Sequence, residues 1–240
     1  MKKKFLSAIE RCSPWKRCGS EPAGRGDRRT VTGRRLPVQK ESLPFGSSPR
    51  EEKTRLRAQL RAARRALPAA ALAQAAASVA TLAAGCGAIA RARSLAGYLA
   101  CDGEIDVAAV LAAARARDAT IVLPRRTRAG GLELVVTPAG AVLEPRRPGG
   151  ILEPTGSSCD PAALPAPAVL LAPAVALDRR GHRLGRGGGD YDRLIPRLRA
   201  LGWTIVGVCH AASVLDALPV EPHDERVDLL LTDAGLATVA

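Results

Sequence analysis

Aromatic residues are nearly absent from this 240-residue chain, which holds two each of Phe, Trp and Tyr. That scarcity weighs against single-strand nucleic-acid binding, where bases stack on aromatic rings set among basic residues. The six cysteines, Cys12, Cys18, Cys86, Cys101, Cys159 and Cys209, contain no CxxC pair and no regular framework. Zinc spacings and a disulfide scaffold are thereby excluded, and reduced thiols in a cytoplasmic protein are expected. No stretch reaches the roughly 18 uninterrupted apolar residues of a membrane span. The Ala-rich run 69–84 is broken by Gln74, Ser78 and Thr81 and reads as a packed helix. The opening MKKKFLSAIERC is basic, but its apolar part ends at Glu10 after about six residues, too few for a secretory signal.

Positive charge is plentiful and unevenly placed. Residues 1–50 hold 13 Lys and Arg against 4 Asp and Glu, a net of +9, whereas residues 51–240 hold 23 against 19, a net of +4. The first segment mixes Arg, Gly, Pro and Ser without apolar periodicity and reads as a disordered basic extension. An RNA-binding arm is the alternative for it, although no aromatic interleaving or repeated basic motif accompanies the charge.

Residues 51–240 read as one α/β domain. In EEKTRLRAQLRAARRAL, Leu56, Leu60, Ala63 and Leu67 recur at helical spacing, with acids in the first turn. A second helix spans 69–84 and stops at Gly85 and Gly87. Short apolar runs suited to buried strands follow: SLAGYLA, TIVLP, LELVVT, VLLAPAVAL, TIVGVC and VDLLLT. Helices at 106–117 and about 192–201 separate several of them. Such alternation predicts a three-layer, mainly parallel open sheet with helices on both faces, Rossmann-like. LELVVT is the exception, an antiparallel hairpin partner of TIVLP.

After VLLAPAVAL comes GHRLGRGGGDYDR, residues 181–193, with Gly185, Gly187, Gly188 and Gly189 around Arg186. The Walker loop requires a lysine that this region lacks, and the last glycine of GxGxxG falls on Asp190, so neither motif is present. What remains is a backbone cradle at a strand end, leading into a helix that starts near Asp190 or Asp192. An arginine suited to phosphate oxygens and carboxylates suited to Mg²⁺ lie beside it. An ordinary surface turn is the competing reading. His223–Asp224 in LPVEPHD reads as a hydrogen-bonded turn or a metal site. Glu104 in GEID reads as a ligand carboxylate or an acid in the next helix's first turn.

Taken in order, KTRLR (53–57), GEID, GGILEPTG (149–156), APAVALDRRGHRLGRGGGDYDR and LPVEPHD resemble the 5-formyltetrahydrofolate cyclo-ligase (methenyltetrahydrofolate synthetase) family over about residues 51–235. The resemblance implies ATP- and Mg²⁺-dependent conversion of 5-formyltetrahydrofolate to 5,10-methenyltetrahydrofolate. The enzyme would be a monomer, with a small-molecule folate substrate and no membrane or nucleic-acid partner. A catalytically impaired, nucleotide-binding relative is the alternative. By position, Lys53, Thr54, Arg55, Leu56 and Arg57 would contact ATP, together with Arg183, Leu184, Gly185, Arg186, Gly187, Gly188, Gly189, Asp190 and Tyr191. Arg186 and Lys53 would be catalytic. Leu99 and Glu104, with Arg57 and Arg186, Gly187, Gly188, Gly189 and Asp190, would contact folate, and Asp192 and Asp224 would hold Mg²⁺. The chain departs from the family pattern at Leu177, Asp190 and His210, where aromatic residues near a flat ligand are expected to be lost, each worth about 0.5–1.5 kcal/mol of stacking.

Overall fold

A computed structural model describes residues 48–145 and 150–239. Residues 1–47 of the basic extension, and Gly149 of the GGILEPTG segment, lie outside the described residues. The first helix, α1, spans Pro49–Arg65, starting two residues before the expected 51. Ser48 and Glu51 form a reciprocal capping box, and Pro49 occupies the first turn, which together favour a start there. Its buried stripe is Lys53, Leu56, Leu60 and Arg64, rather than one running through Ala63 and Leu67. Leu56 and Leu60 pack on Val175, Ala176, Leu184 and Leu218. At about 1.5–3 kcal/mol for each fully buried Leu, they pin the helix and so fix the two buried cations above and below them.

The remaining helices are α2 (Ala69–Ala84), α3 (Gly87–Arg91), α4 (Ala108–Arg115) and α5 (Asp190–Ala200). Gly85 closes α2, but Gly87 opens α3 instead of reinforcing the stop. The helix expected over 106–117 is shorter at both ends. Its first turn is held by Asp106, whose Oδ1 accepts the Ala108 amide at 2.8 Å. No single helix among the described residues is long and apolar enough to cross a membrane.

The strands are β1 (Ser94–Ala96), β2 (Thr120–Arg126), β3 (Leu132–Val136), β4 (Leu143–Pro145), β5 (Leu152–Pro154), β6 (Ser158–Cys159) and β7 (Ala168–Pro173), then β8 (Ala176–Asp178), β9 (Arg183–Leu184), β10 (Thr204–Val208), β11 (Val214–Leu215), β12 (Leu229–Thr232) and β13 (Gly235–Thr238). Eight of them form one sheet in the order β13-β12-β10-β7-β1-β2-β3-β6. The pairings from β12 to β2 are parallel, and those that add β13, β3 and β6 are antiparallel. LELVVT is thus the hairpin partner of β2. Counted in chain order, the five parallel strands run 2-1-3-4-5, the flavodoxin-type order of doubly wound sheets rather than the 3-2-1-4-5-6 of the dinucleotide fold. Side chains alternate between faces: Leu95, Ile121, Leu123, Val169, Leu171 and Val206 meet α2, α3 and α4, while Ala96, Val122, Leu170 and Ile205 meet α5.

VLLAPAVAL is not one strand. It breaks after Pro173, and its second part, β8, joins β11 and β9 in a separate three-stranded sheet. This turn of direction carries the chain off the end of the main sheet and delivers the glycine-rich segment beyond it. The sequence then enters α5, where Pro196 lies inside the helix and forfeits one backbone hydrogen bond. Buried Leu194, Ile195 and Leu198 hold that helix against the sheet.

Candidate active site

Past the carboxyl end of β7 lies a cavity of about 660 Å³, walled by α1, the glycine segment with the first turn of α5, Glu104, and the loop Glu221–Asp224. Gly187 and Gly189 have φ of 103° and 63°, backbone that a side chain would disfavour. Gly189, rather than Asp190, caps α5, and no side chain bonds the helix's first amides. They border the cavity as an anion-attracting terminus. Arg57 Nε donates to the Gly185 carbonyl at 2.8 Å, joining α1 to this loop across 128 residues of chain. Buried Arg183 donates to Asp192 Oδ1 at 2.7 Å and lies over the Tyr191 ring, 5.4 Å from its centroid. Burial raises the Tyr191 hydroxyl pKa well above its ordinary value.

Lys53, buried, places its ammonium 2.8 Å from Glu221 Oε2 and 2.5 Å from Asp224 Oδ2. One ligand atom from each of Glu221, His223 and Asp224 lies within 4.8 Å of the others. Asp224 therefore belongs to this trio, whereas Asp192 stands apart, engaged by Arg183. Asp192, Glu221 and Asp224 all line the cavity, and carboxylates are hard donors of the kind that Mg²⁺ takes alongside phosphate oxygens. Glu104 is buried 3.7 Å from Arg64 Nη2 and accepts the Cys101 amide at 3.2 Å. Neither Glu104 nor Asp106 lies within α4, whose first turn holds no acid; Asp106 bonds the Ala108 amide from just before the helix, and Glu104 is a cavity-wall carboxylate. Asp190 is paired with Arg126 at 3.1 Å and Arg193 at 2.8 Å. These two guanidiniums offset the repulsion that its charge would otherwise exert on an anion in the loop.

A family model described as 5-formyltetrahydrofolate cyclo-ligase family matches residues 49–233. The chain belongs to that family. Among curated relatives, the 5-formyltetrahydrofolate cyclo-ligase of Mycolicibacterium smegmatis is 44% identical over 64 residues, 27% of this chain and 32% of that protein. The Haemophilus influenzae cyclo-ligase is 29% identical over 137 residues, 56% of this chain and 72% of that protein. The chain thus spans about a third of the first relative's length and nearly three quarters of the second's. The NMR structure of Aquifex aeolicus 5,10-methenyltetrahydrofolate synthetase superposes with a TM-score of 0.66 and 26% identity, covering 78% of this chain and 92% of that one.

Within this family fold, Lys53, Thr54, Arg57, Glu104, Asp224 and every residue from Arg183 to Asp192 line the cavity. Arg55, Leu56 and Leu99 are not among its lining residues. Leu56 belongs to the core under α1, and Leu99 packs partly buried against the α2–α4 face. Of the three departures from the family's aromatic pattern, only Asp190 borders the cavity. Leu177 is fully buried in the core on the α5 face. Buried His210 bonds the Gly103 carbonyl at 3.0 Å through Nε2. Arg50, Arg193 and Glu221 also line the site; Arg193 and Glu221 stand inside GHRLGRGGGDYDR and LPVEPHD without having been singled out there, and Arg50 lies before the first motif.

Two carboxyls carry a pH prediction. Hydrogen bonds from Arg61 and Arg65 hold Asp102 down at about 2, and those from Lys53 and Arg50 do the same for Glu221, also about 2. Both folded values lie below the ordinary carboxylate range, so their stabilisation is full above about pH 4 and is lost as pH falls through about 2. Thermal unfolding followed from pH 5 down to pH 2 is expected to show this loss, reduced in Asp102→Asn. Identical profiles for the two proteins would contradict it.

Proposed function

We propose that this chain uses ATP and Mg²⁺ to close 5-formyltetrahydrofolate into 5,10-methenyltetrahydrofolate, with release of ADP and phosphate. The observation that carries the reading is the convergence of Lys53, Thr54 and Arg57 with Arg183–Tyr191 on one cavity, tied together by the Arg57–Gly185 hydrogen bond. A nucleotide is chemically required because the amide-like formyl oxygen is a poor leaving group. Once phosphorylated, it departs as phosphate when N10 attacks the formyl carbon and gives up its proton.

We assign each residue a role that its place supports. The glycine loop and the amino terminus of α5 receive phosphate oxygens on backbone N–H groups. Arg186 and Lys53 supply positive charge where it develops on the transferring phosphoryl group, and Arg57 holds the loop's first carbonyl. Mg²⁺ would be held by Asp192 and Asp224, with Glu221 beside them, and supplies charge neutralisation between phosphate oxygens. Glu104 offers acceptor oxygens to the donor-rich edge of a pterin. Among the described residues, Tyr191 is the one aromatic side chain lining the cavity, so the folate ring is held more by polar contacts than by stacking.

The free thiols of Cys86, Cys101, Cys159 and Cys209 suit a reducing cytosol. ADP release measured with purified chain and Mg-ATP is expected to require 5-formyltetrahydrofolate. ADP released at the same rate without the folate would mean that the bound nucleotide serves a different reaction.

A further inference from the structure

Nothing on its own loop supports the side chain of Arg186, which is flanked by Gly185 and Gly187. It reaches instead to the segment after β1, where Nη1 donates to Cys101 Sγ and Nη2 lies 3.2 Å from Asp102 Oδ2. Asp102 is itself fixed from α1. Arg61 Nη2 sits 2.5 Å from the same carboxylate oxygen, Arg65 Nε lies 3.3 Å from the other, and Arg64 Nε donates to the Asp102 carbonyl at 2.8 Å. Its φ of 54° is left-handed, a conformation that Asp and Asn tolerate better than other side chains. Gly103 follows at φ 72°, and a Cβ there would come within 2.9 Å of the Arg64 carbonyl oxygen. The carboxylate is therefore locked against α1, and Asp102 is not itself among the residues lining the cavity.

We propose that Asp102 is a positioning residue that holds Arg186 at the cavity and couples the glycine loop to α1. This rests on the phosphoryl-transfer role given to Arg186. Two physical effects act together. A long unbranched side chain between glycines has many rotamers, and a donor spread over them is no longer preorganised. Arg61, Arg65 and Arg186 also converge on one negative charge. Without it the three guanidiniums repel, and the one carried on glycine backbone is the one that moves.

Asp102→Asn keeps the shape and the left-handed backbone while removing the charge, and Asp102→Gly, which keeps the left-handed backbone and removes the whole side chain, serves should the Asn variant fail to fold. Asp102→Asn is expected to lower kcat about tenfold, with the KM for ATP within about twofold, and to change turnover by less than about twofold in an Arg186→Ala background, because the two residues act as one unit. A readout independent of activity accompanies this. Brief trypsin digestion of the full chain, with sites identified by mass spectrometry, should show cleavage after Arg186 accelerated about tenfold in Asp102→Asn, as release of a held loop predicts. An equal fall in turnover with and without Arg186 would make Asp102 a structural residue and overturn the proposal, as would unchanged cleavage after Arg186. If the wild-type chain forms no methenyltetrahydrofolate, the cyclo-ligase reading fails by itself, and the digestion still decides whether Asp102 holds Arg186.

Discussion

Arg186→Ala is expected to lower turnover by about 10² to 10³, the usual cost of removing one preorganised transition-state donor, while leaving thermal stability nearly unchanged. Its side chain is 38% exposed and its ion pair with Asp102 is on the surface, where such pairs contribute about 0–1 kcal/mol. Catalysis and folding are therefore separable at this residue. Turnover of the purified variant within threefold of wild type would move phosphoryl-transfer stabilisation to another cation lining the cavity, among them Lys53, Arg57 and Arg183.

Lys53→Met carries the second large effect, of a different kind. The ammonium is buried between Glu221 and Asp224, so its removal withdraws a cation from the phosphate site and leaves two carboxylates facing each other. Turnover is expected to fall by roughly 10² or more, and here the melting temperature should fall as well. The Glu221 carboxyl, held at about 2 by Lys53 first and Arg50 second, should rise toward the ordinary range, as read by NMR titration. Lys53→Arg keeps the charge and is expected to recover stability better than turnover, because a planar fork does not reproduce a compact point charge between two carboxylates. Loss of turnover with an unmoved Glu221 titration would contradict the ion-pair account.

Local physics explains which parts of the fold are legible in the chain. The bounds of α2 follow from an alanine run closed by Pro68 and Gly85. The start of α5 follows from glycine giving way to two first-turn acids. The capping box Ser48-x-x-Glu51 also marks the beginning of α1, two residues before the first acid. VLLAPAVAL reads as one strand because the break after Pro173 depends on which neighbours each half finds: β10 and β1 for the first half, β9 and β11 for the second. The site divides in the same way. The glycine loop, Lys53, Arg57 and Asp224 lie within contiguous motifs. The Arg186–Asp102 pair spans 84 residues and the Lys53–Glu221 pair 168, with no periodicity or spacing to announce either. Leu177 and His210 show the converse: their positions in the family pattern are conspicuous, yet the backbone turns both side chains into the interior, so the aromatic deficit at the cavity falls on Asp190. There two arginines, from β2 and α5, take up the charge.

One reaction tests the proposed cyclisation most directly. Purified chain mixed with 5-formyltetrahydrofolate, ATP and Mg²⁺ is expected to develop the ultraviolet absorbance of 5,10-methenyltetrahydrofolate, one equivalent per ADP formed, with no signal when ATP is omitted and a strongly reduced rate in Arg186→Ala. Absence of that absorbance from a folded chain that still binds Mg-ATP would contradict the proposed cyclisation.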